Sequence, residues 1–325
     1  MRGLTLLLFW GMGLYAAEAY TLGQGYRFGD LLTAGAYVSV EYEEKRHERR
    51  FKVEDLAVLG YGTLAPSLTY LAEFEATNIY IRDFDTHTEQ MGTEFHVERA
   101  YLDYKASDAL QVRAGKMITP IGIWNREPIN VLRDTTSNPL YATEMFPRLL
   151  SGVDLYGYLP GNGEFGYHLF GQKTRDLDEE YINIPNEHYF GAAISYDIDM
   201  QSSVGASVGE FVTRQDERFR YVQANFLYDA FDYKVTAEGI LRHNDSAATR
   251  RKYSGSAYVQ GLYRVTPQHS AVVRYEYFDD RSYDDDILIL GYGYRPRYPI
   301  SFKAEYQWHS QSAENRFLTS ISVLF

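Results

Sequence analysis

The chain has no cysteine, which excludes a disulfide framework and any thiolate-bound metal. It has only three tryptophans and ten prolines, and every proline falls in or beside a connector, leaving strand interiors free to pair. Beyond residue 19 no run of about 18 apolar residues occurs, so no helix is expected to cross a bilayer. Basic residues number 32 against 44 acidic ones, a net charge of −12; without a basic footprint, nucleic acid is not an expected partner. The eight histidines are dispersed, with no H-E-x-x-H and no G-x-S-x-G among the motifs, so the reading is not an enzyme, with no cofactor and no metal site.

What the chain does have is aromatic residues, 30 tyrosines and 18 phenylalanines. They suit strands and membrane–water interfaces alike. At the N-terminus Arg2 precedes the apolar run "LTLLLFWGMGLYAA" and then Ala17-Glu18-Ala19. A basic start, an apolar run and an A-x-A site make a secretory signal peptide over 1–19, leaving an exported mature chain of 20–325. The mean hydropathy of −0.38 fits a soluble chain, but equally one that alternates wet and lipid-facing residues.

Alternation is the dominant pattern. In "RFLTSISVLF" (316–325), Phe317, Thr319, Ile321, Val323 and Phe325 fall on one face, and Ser320 and Ser322 on the other. About sixteen such segments recur, near 31–42, 52–63, 67–78, 95–105, 109–117, 151–158, 163–173, 188–197, 201–212, 218–229, 232–243, 252–264, 269–278, 285–294, 299–309 and 316–325. Most have roughly the length a tilted strand needs to cross a bilayer. Connectors after even-numbered segments are tight, as in "APS" (65–67) or "DAF" (229–231). Most after odd-numbered ones are longer and charged, as in "EEKRHERR" (43–50), "TRDLDEEYINIPNE" (174–187) or "DDRSYDDD" (279–286). A soluble sandwich has no reason to sort its loops by parity, whereas a barrel in an outer membrane has short turns on one side and long loops on the other. The expected fold is therefore all-β: a transmembrane antiparallel β-barrel of about 16 strands, with connector 118–150 as a long third extracellular loop.

Charges fall on one face of strand after strand. The face expected to line the interior carries Glu73, Glu75, Arg99, Asp103, Lys105, Arg113, Lys234, Glu238, Arg242, Arg274, Glu276, Lys303 and Glu305. About sixteen strands enclose an aqueous channel where about eight would be filled by side chains, so this face reads as the wall of a pore. Connector 118–150 mixes apolar anchors (Ile121, Ile123, Trp124, Phe146) with Arg126, Glu127, Arg133, Asp134 and Arg148. Folded inward it makes a constriction lined by those ions; folded outward it makes a lid over the mouth. The acidic runs 175–180 and 279–286 read as solvated loops or as divalent-ion ligands between lipopolysaccharide phosphates, which "KRHERR" (45–50) would contact directly.

The stretch "ERAYLDYKASDALQVRAGKMITPIGIWN" (98–125) resembles the segment leading into the inward-folded third loop of Gram-negative porins of the phosphate-selective porin O and P type. The matching features are the strand pair joined by Ser107-Asp108, "RAGK" (113–116) and "TPIGIW" (119–124). The resemblance implies a sixteen-stranded barrel, commonly a homotrimer, in the outer membrane, reached through the periplasm and passing small hydrophilic solutes and ions by diffusion. A chain ending on Phe325 with alternate Val323 and Ile321 also resembles the signal read by the outer-membrane assembly machinery, so that machinery, lipid and lipopolysaccharide join the solutes as implied partners. The interior signs balance, unlike the one-sided basic ladder of an anion-selective channel. The expectation is thus a general pore with weak cation preference; the alternatives are an anion- or phosphate-selective porin and a non-conducting surface or adhesin barrel.

Overall fold

The computed structural model describes residues 18–161, 163–178, 181–246 and 251–325. The leader expected over 1–19 lies outside the described residues except for Glu18 and Ala19, which open a short strand, Glu18–Thr21, paired with Gly25–Phe28.

Sixteen long strands follow: β1 (Leu32–Lys45), β2 (Glu48–Ala65), β3 (Leu68–Asp83), β4 (Glu94–Lys105), β5 (Gln111–Ile118), β6 (Leu149–Gly161), β7 (Gly163–Gln172), β8 (Asn186–Asp197), β9 (Ser202–Thr213), β10 (Arg218–Asp229), β11 (Tyr233–Asn244), β12 (Tyr253–Arg264), β13 (His269–Asp279), β14 (Asp284–Arg297), β15 (Ile300–His309) and β16 (Arg316–Leu324). Each pairs antiparallel with its chain neighbours, and β16 returns to β1, from Arg316↔Lys45 to Leu324↔Tyr37. The sixteen-strand sheet closes on itself, the condition hydrocarbon imposes on a spanning sheet.

The two faces separate as the alternation predicts. Phe190, Val222, Tyr275, Leu290, Phe302 and Trp308 are exposed on the outside, whereas Gln223, Glu238, Arg274 and Glu305 are buried on the inside. An apolar surface this continuous, on a chain with a charged interior, is a lipid-facing surface. Loop parity also matches, with two-residue turns such as 66–67 at one end and segments 84–93, 119–148 and 173–185 at the other.

The strands overrun their expected limits at the long-loop end. β2 has 18 residues and β3 has 16. The stretch 43–50, read as a charged connector, is a continuous hairpin turning at Arg46-His47. Its ladder places Glu43 opposite Arg50, Glu44 opposite Arg49 and Lys45 opposite Glu48. Beyond the hydrocarbon both faces are wet, so the apolar alternation that marks a strand disappears while the backbone ladder continues, with Arg49 and Arg50 paired to Asp85 and Asp83. Acidic stretch 279–286 behaves alike: Asp279 pairs with Arg251, Asp280 with Arg242, and Asp285 with His309.

Candidate functional site: a clamped loop and two charged chambers

Segment 119–148, between β5 and β6, lies inside the barrel. One side of it is apolar. Ile121, Trp124, Tyr141, Met145 and Phe146 pack on an inner wall made by Phe170, Tyr189, Phe211, Tyr221, Tyr258 and Phe278, from β7 to β13. Trp124 meets Tyr258 edge-on at 6.3 Å, and Phe146 meets Tyr141 at 5.5 Å. A short helix, α1 (Leu140–Glu144), and one 3-10 turn at Trp124–Arg126 are its regular structure, so most of its buried backbone must find partners elsewhere.

The strands supply them. Glu238 accepts the Ile123 and Trp124 amides at 2.7 and 2.8 Å and the Tyr258 hydroxyl at 2.5 Å. Glu305 accepts the amides of Thr136 and Ser137 at 2.8 and 3.2 Å, and Glu276 that of Leu140 at 2.9 Å. Lys303 donates to the carbonyls of Asn130 and Thr135 at 2.7 and 3.0 Å. Arg274 donates to Thr135 Oγ1 at 2.7 Å, Arg242 to the Glu144 carbonyl at 2.9 Å, and Lys234 pairs with Asp134 at 3.1 Å. Gly122 closes this grip: at φ +68°, a Cβ there would stand 2.1 Å from Glu238 Oε2.

Seven of the expected lining residues (Lys234, Glu238, Arg242, Arg274, Glu276, Lys303, Glu305) thus face inward but hold the loop rather than open water. Replacing Glu238 by Leu leaves two buried amides unpaired at about 1–3 kcal/mol each. The expected result is a flickering channel and faster proteolysis within 119–148, with the barrel's heat resistance kept; single-channel noise and limited proteolysis check it.

The remaining candidates divide by position. Glu73 is bound by Arg99 and Glu75 by the Tyr181 hydroxyl. Asp103 accepts from Arg113 at 2.6 Å and from Tyr156 at 2.7 Å, with the Arg113 guanidinium 4.4 Å from the Tyr101 ring centre. Lys105 stands at the rim, 57% exposed and paired with Asp108 in the adjoining turn. Arg126 is exposed on the loop, its Nε donating to the Gly122 carbonyl.

Two chambers flank the loop. The one towards the long-loop end, about 400 Å³, places Asp55, Glu75 and Glu98 of the β2–β4 wall in the same space as Arg133 and Arg148 of the loop. The other, about 420 Å³ towards the short turns, carries Lys234, Arg264, Arg295 and Lys303 with Glu127, Asp134 and Asp229. Arg133 borders both. Burial, and then the neighbouring Arg148, push the Arg133 guanidinium down to about 10, so it stays cationic at neutral pH. Burial also lowers Arg148, with Glu98 opposing it.

Glu98 and the docking of 173–185 escape a reading of alternation. A bulge between Glu73/Arg99 and Phe74/Val97 breaks the period of two, and both Glu98 and Arg99 turn inward. In segment 173–185, Asp176 pairs with buried Lys116 at 3.1 Å and Asp178 accepts from Val97 N at 3.0 Å beside His96. An Asp-rich stretch otherwise reads as solvated; the only signal was a lysine, Lys116, in an inner-wall position lacking a partner within its own hairpin. Among the described residues no cluster of three metal-ligating side chains occurs.

The chain has the fold of the outer-membrane porins. The anion-selective porin of Comamonas acidovorans matches with a TM-score of 0.61 at 12% identity, over 90% of this chain and 99% of that one. The outer membrane channel DcaP of Acinetobacter baumannii matches at 0.62 and 12%, over 93% and 100%. OmpT of Vibrio cholerae, in a trimer form, matches at 0.62 and 12%, over 90% and 99%. No protein-family model matches the sequence, and no curated protein matches it.

Proposed function

We propose that the protein is an outer-membrane porin of a Gram-negative bacterium, a water-filled channel through which small hydrophilic solutes and ions diffuse. The carrying observation is a closed sixteen-strand barrel whose outside is apolar and whose loop-narrowed interior keeps two charged chambers. No step of chemistry is assigned to it. The signal peptide over 1–19, export through the periplasm, recognition by the assembly machinery, and contact with lipid and lipopolysaccharide belong to the same reading. So does the homotrimer: Ala34, Gly60, Ala72 and Ala100 stand side by side across β1–β4 on the outward face, a stripe small enough to admit a second barrel, and one structural neighbour is described as a trimer.

Reconstitution in a planar bilayer tests the reading. Stepwise conductance is expected, and its absence favours a non-conducting surface barrel. The acid-rich chamber, lined also by Glu41, Glu43 and Glu54, supports a weak cation preference at low salt. That preference should fade as salt rises, since mouth charges are screened over about 10 Å at 0.1 M. The basic chamber favours the second reading, an anion- or phosphate-selective porin; strong anion selectivity in reversal potentials, or saturable block by phosphate, would establish it instead.

A further inference from the structure

We infer that the chamber between Glu98 and Arg133 is a binding station for zwitterions, small solutes bearing an ammonium and a carboxylate on one short skeleton. The inference rests on the channel reading and names a solute class for it. Lys52 and Arg316 of the wall and Glu144 of the loop line this space; around the gap itself, Asp55, Glu75 and Glu98 stand on the barrel wall and Arg133 and Arg148 on the loop. They act on one another electrostatically, Glu98 and Asp55 on Arg133, and Glu98, Glu75 and Asp55 on Arg148. Yet neither arginine forms an ion pair with a carboxylate among the described residues, so a gap stays open between the two signs.

The groups on both sides are built in and incompletely used. Glu75 and Glu98 are 3% and 4% exposed, and Arg133 and Arg148 are 6% and 7% exposed. Arg133 donates from Nε to the Glu127 carbonyl at 2.8 Å, and Arg148 from Nε towards Asn125 at 3.5 Å. Their terminal nitrogens make no hydrogen bond to a described residue. The Arg133 guanidinium lies 5.8 Å from the Trp124 ring centre. Glu98 accepts the Tyr37 hydroxyl at 3.2 Å and has lone pairs to spare.

A solute of one sign gains from one side of this gap and is repelled by the other. A dipolar solute lying crosswise gains from both, donating from its ammonium to Glu98 on the wall and accepting a two-pronged arginine contact on its carboxylate. A space of about 400 Å³ lies at the small end of ligand sites and admits an amino-acid-sized molecule with some water. Thr136, Ser137 and Asn138 line the same space and offer uncharged hydrogen bonds along the skeleton.

The test compares three probes of one length, 5-aminopentanoate, pentanoate and pentylammonium, as blockers of the reconstituted channel at low salt and neutral pH. The zwitterion should reside about tenfold longer per blocking event than either ion, the worth of one charge-assisted contact. Both Arg133→Gln and Glu98→Gln should erase that excess, the second while leaving the loop's own bonds intact. Equal residence of all three probes in a normally conducting channel would overturn the station alone, as would an excess that survives Glu98→Gln. Absence of any conductance would instead overturn the channel reading, and the station with it.

Discussion

Deleting residues 126–144 raises the single-channel conductance severalfold and leaves the barrel heat-resistant. The loop occupies the cross-section that sixteen strands would otherwise leave to water, and its residues border both charged chambers. The cut is tolerated because Ile118 and Leu149 already face each other across the β5–β6 ladder, so the shortened segment has almost no distance to span. Freed clamp charges (Lys234, Arg242 and Arg274 against Glu276 and Glu305) become hydrated instead of buried and unpaired, and so cost little. Planar-bilayer recording on the deletion, with an unheated gel for the folded barrel, measures both halves of this expectation. Unchanged conductance would show that the passage does not run beside the loop.

Changing Phe325 to Asp, or removing it, lowers the amount of assembled protein in the outer membrane by about threefold or more, in line with the cost of a charge on a lipid face. The Phe325 amide donates to the Ala36 carbonyl at 2.7 Å, its own carbonyl accepts from the Ala36 amide at 3.4 Å, and its ring is exposed on the outside together with Ile321. Removal therefore subtracts the last rung of the closing ladder as well as the aromatic at the interface. Heat-modifiable protein in outer-membrane fractions is the readout, and wild-type levels for both variants would sink this account of the chain end.

The barrel was legible in the sequence because a lipid-facing strand cannot hide its period of two. Phe302, Tyr306 and Trp308 against Lys303, Glu305 and Gln307 declare both faces of β15 unaided. Strand ends beyond the hydrocarbon were not legible, since residues 43–50 pair through the backbone while both of their faces carry charge. What the expected lining charges touch was hidden. Glu305 meets Thr136 from 169 residues away, and no local pattern reports such a contact. Counting signs gave a balanced interior and could not report that Asp55, Glu75 and Glu98 of the β2–β4 wall share one chamber with Arg133 and Arg148 of the loop. A single bulge concealed Glu98, because one extra residue reverses the face of everything after it.

Closure of the cylinder also dictates an order of events. Ser39 of β1 hydrogen-bonds Ser322 of β16 at a separation of 283 residues, a loop whose closure costs about 5 kcal/mol in chain entropy. That seam is the most non-local pairing in the chain and waits for the last strand to be delivered. Segment 119–148, meanwhile, is gripped by β11, β13 and β15, all later in the chain. Its docking waits for those strands, so the rate of maturation should respond to the clamp residues as well as to the terminal strand.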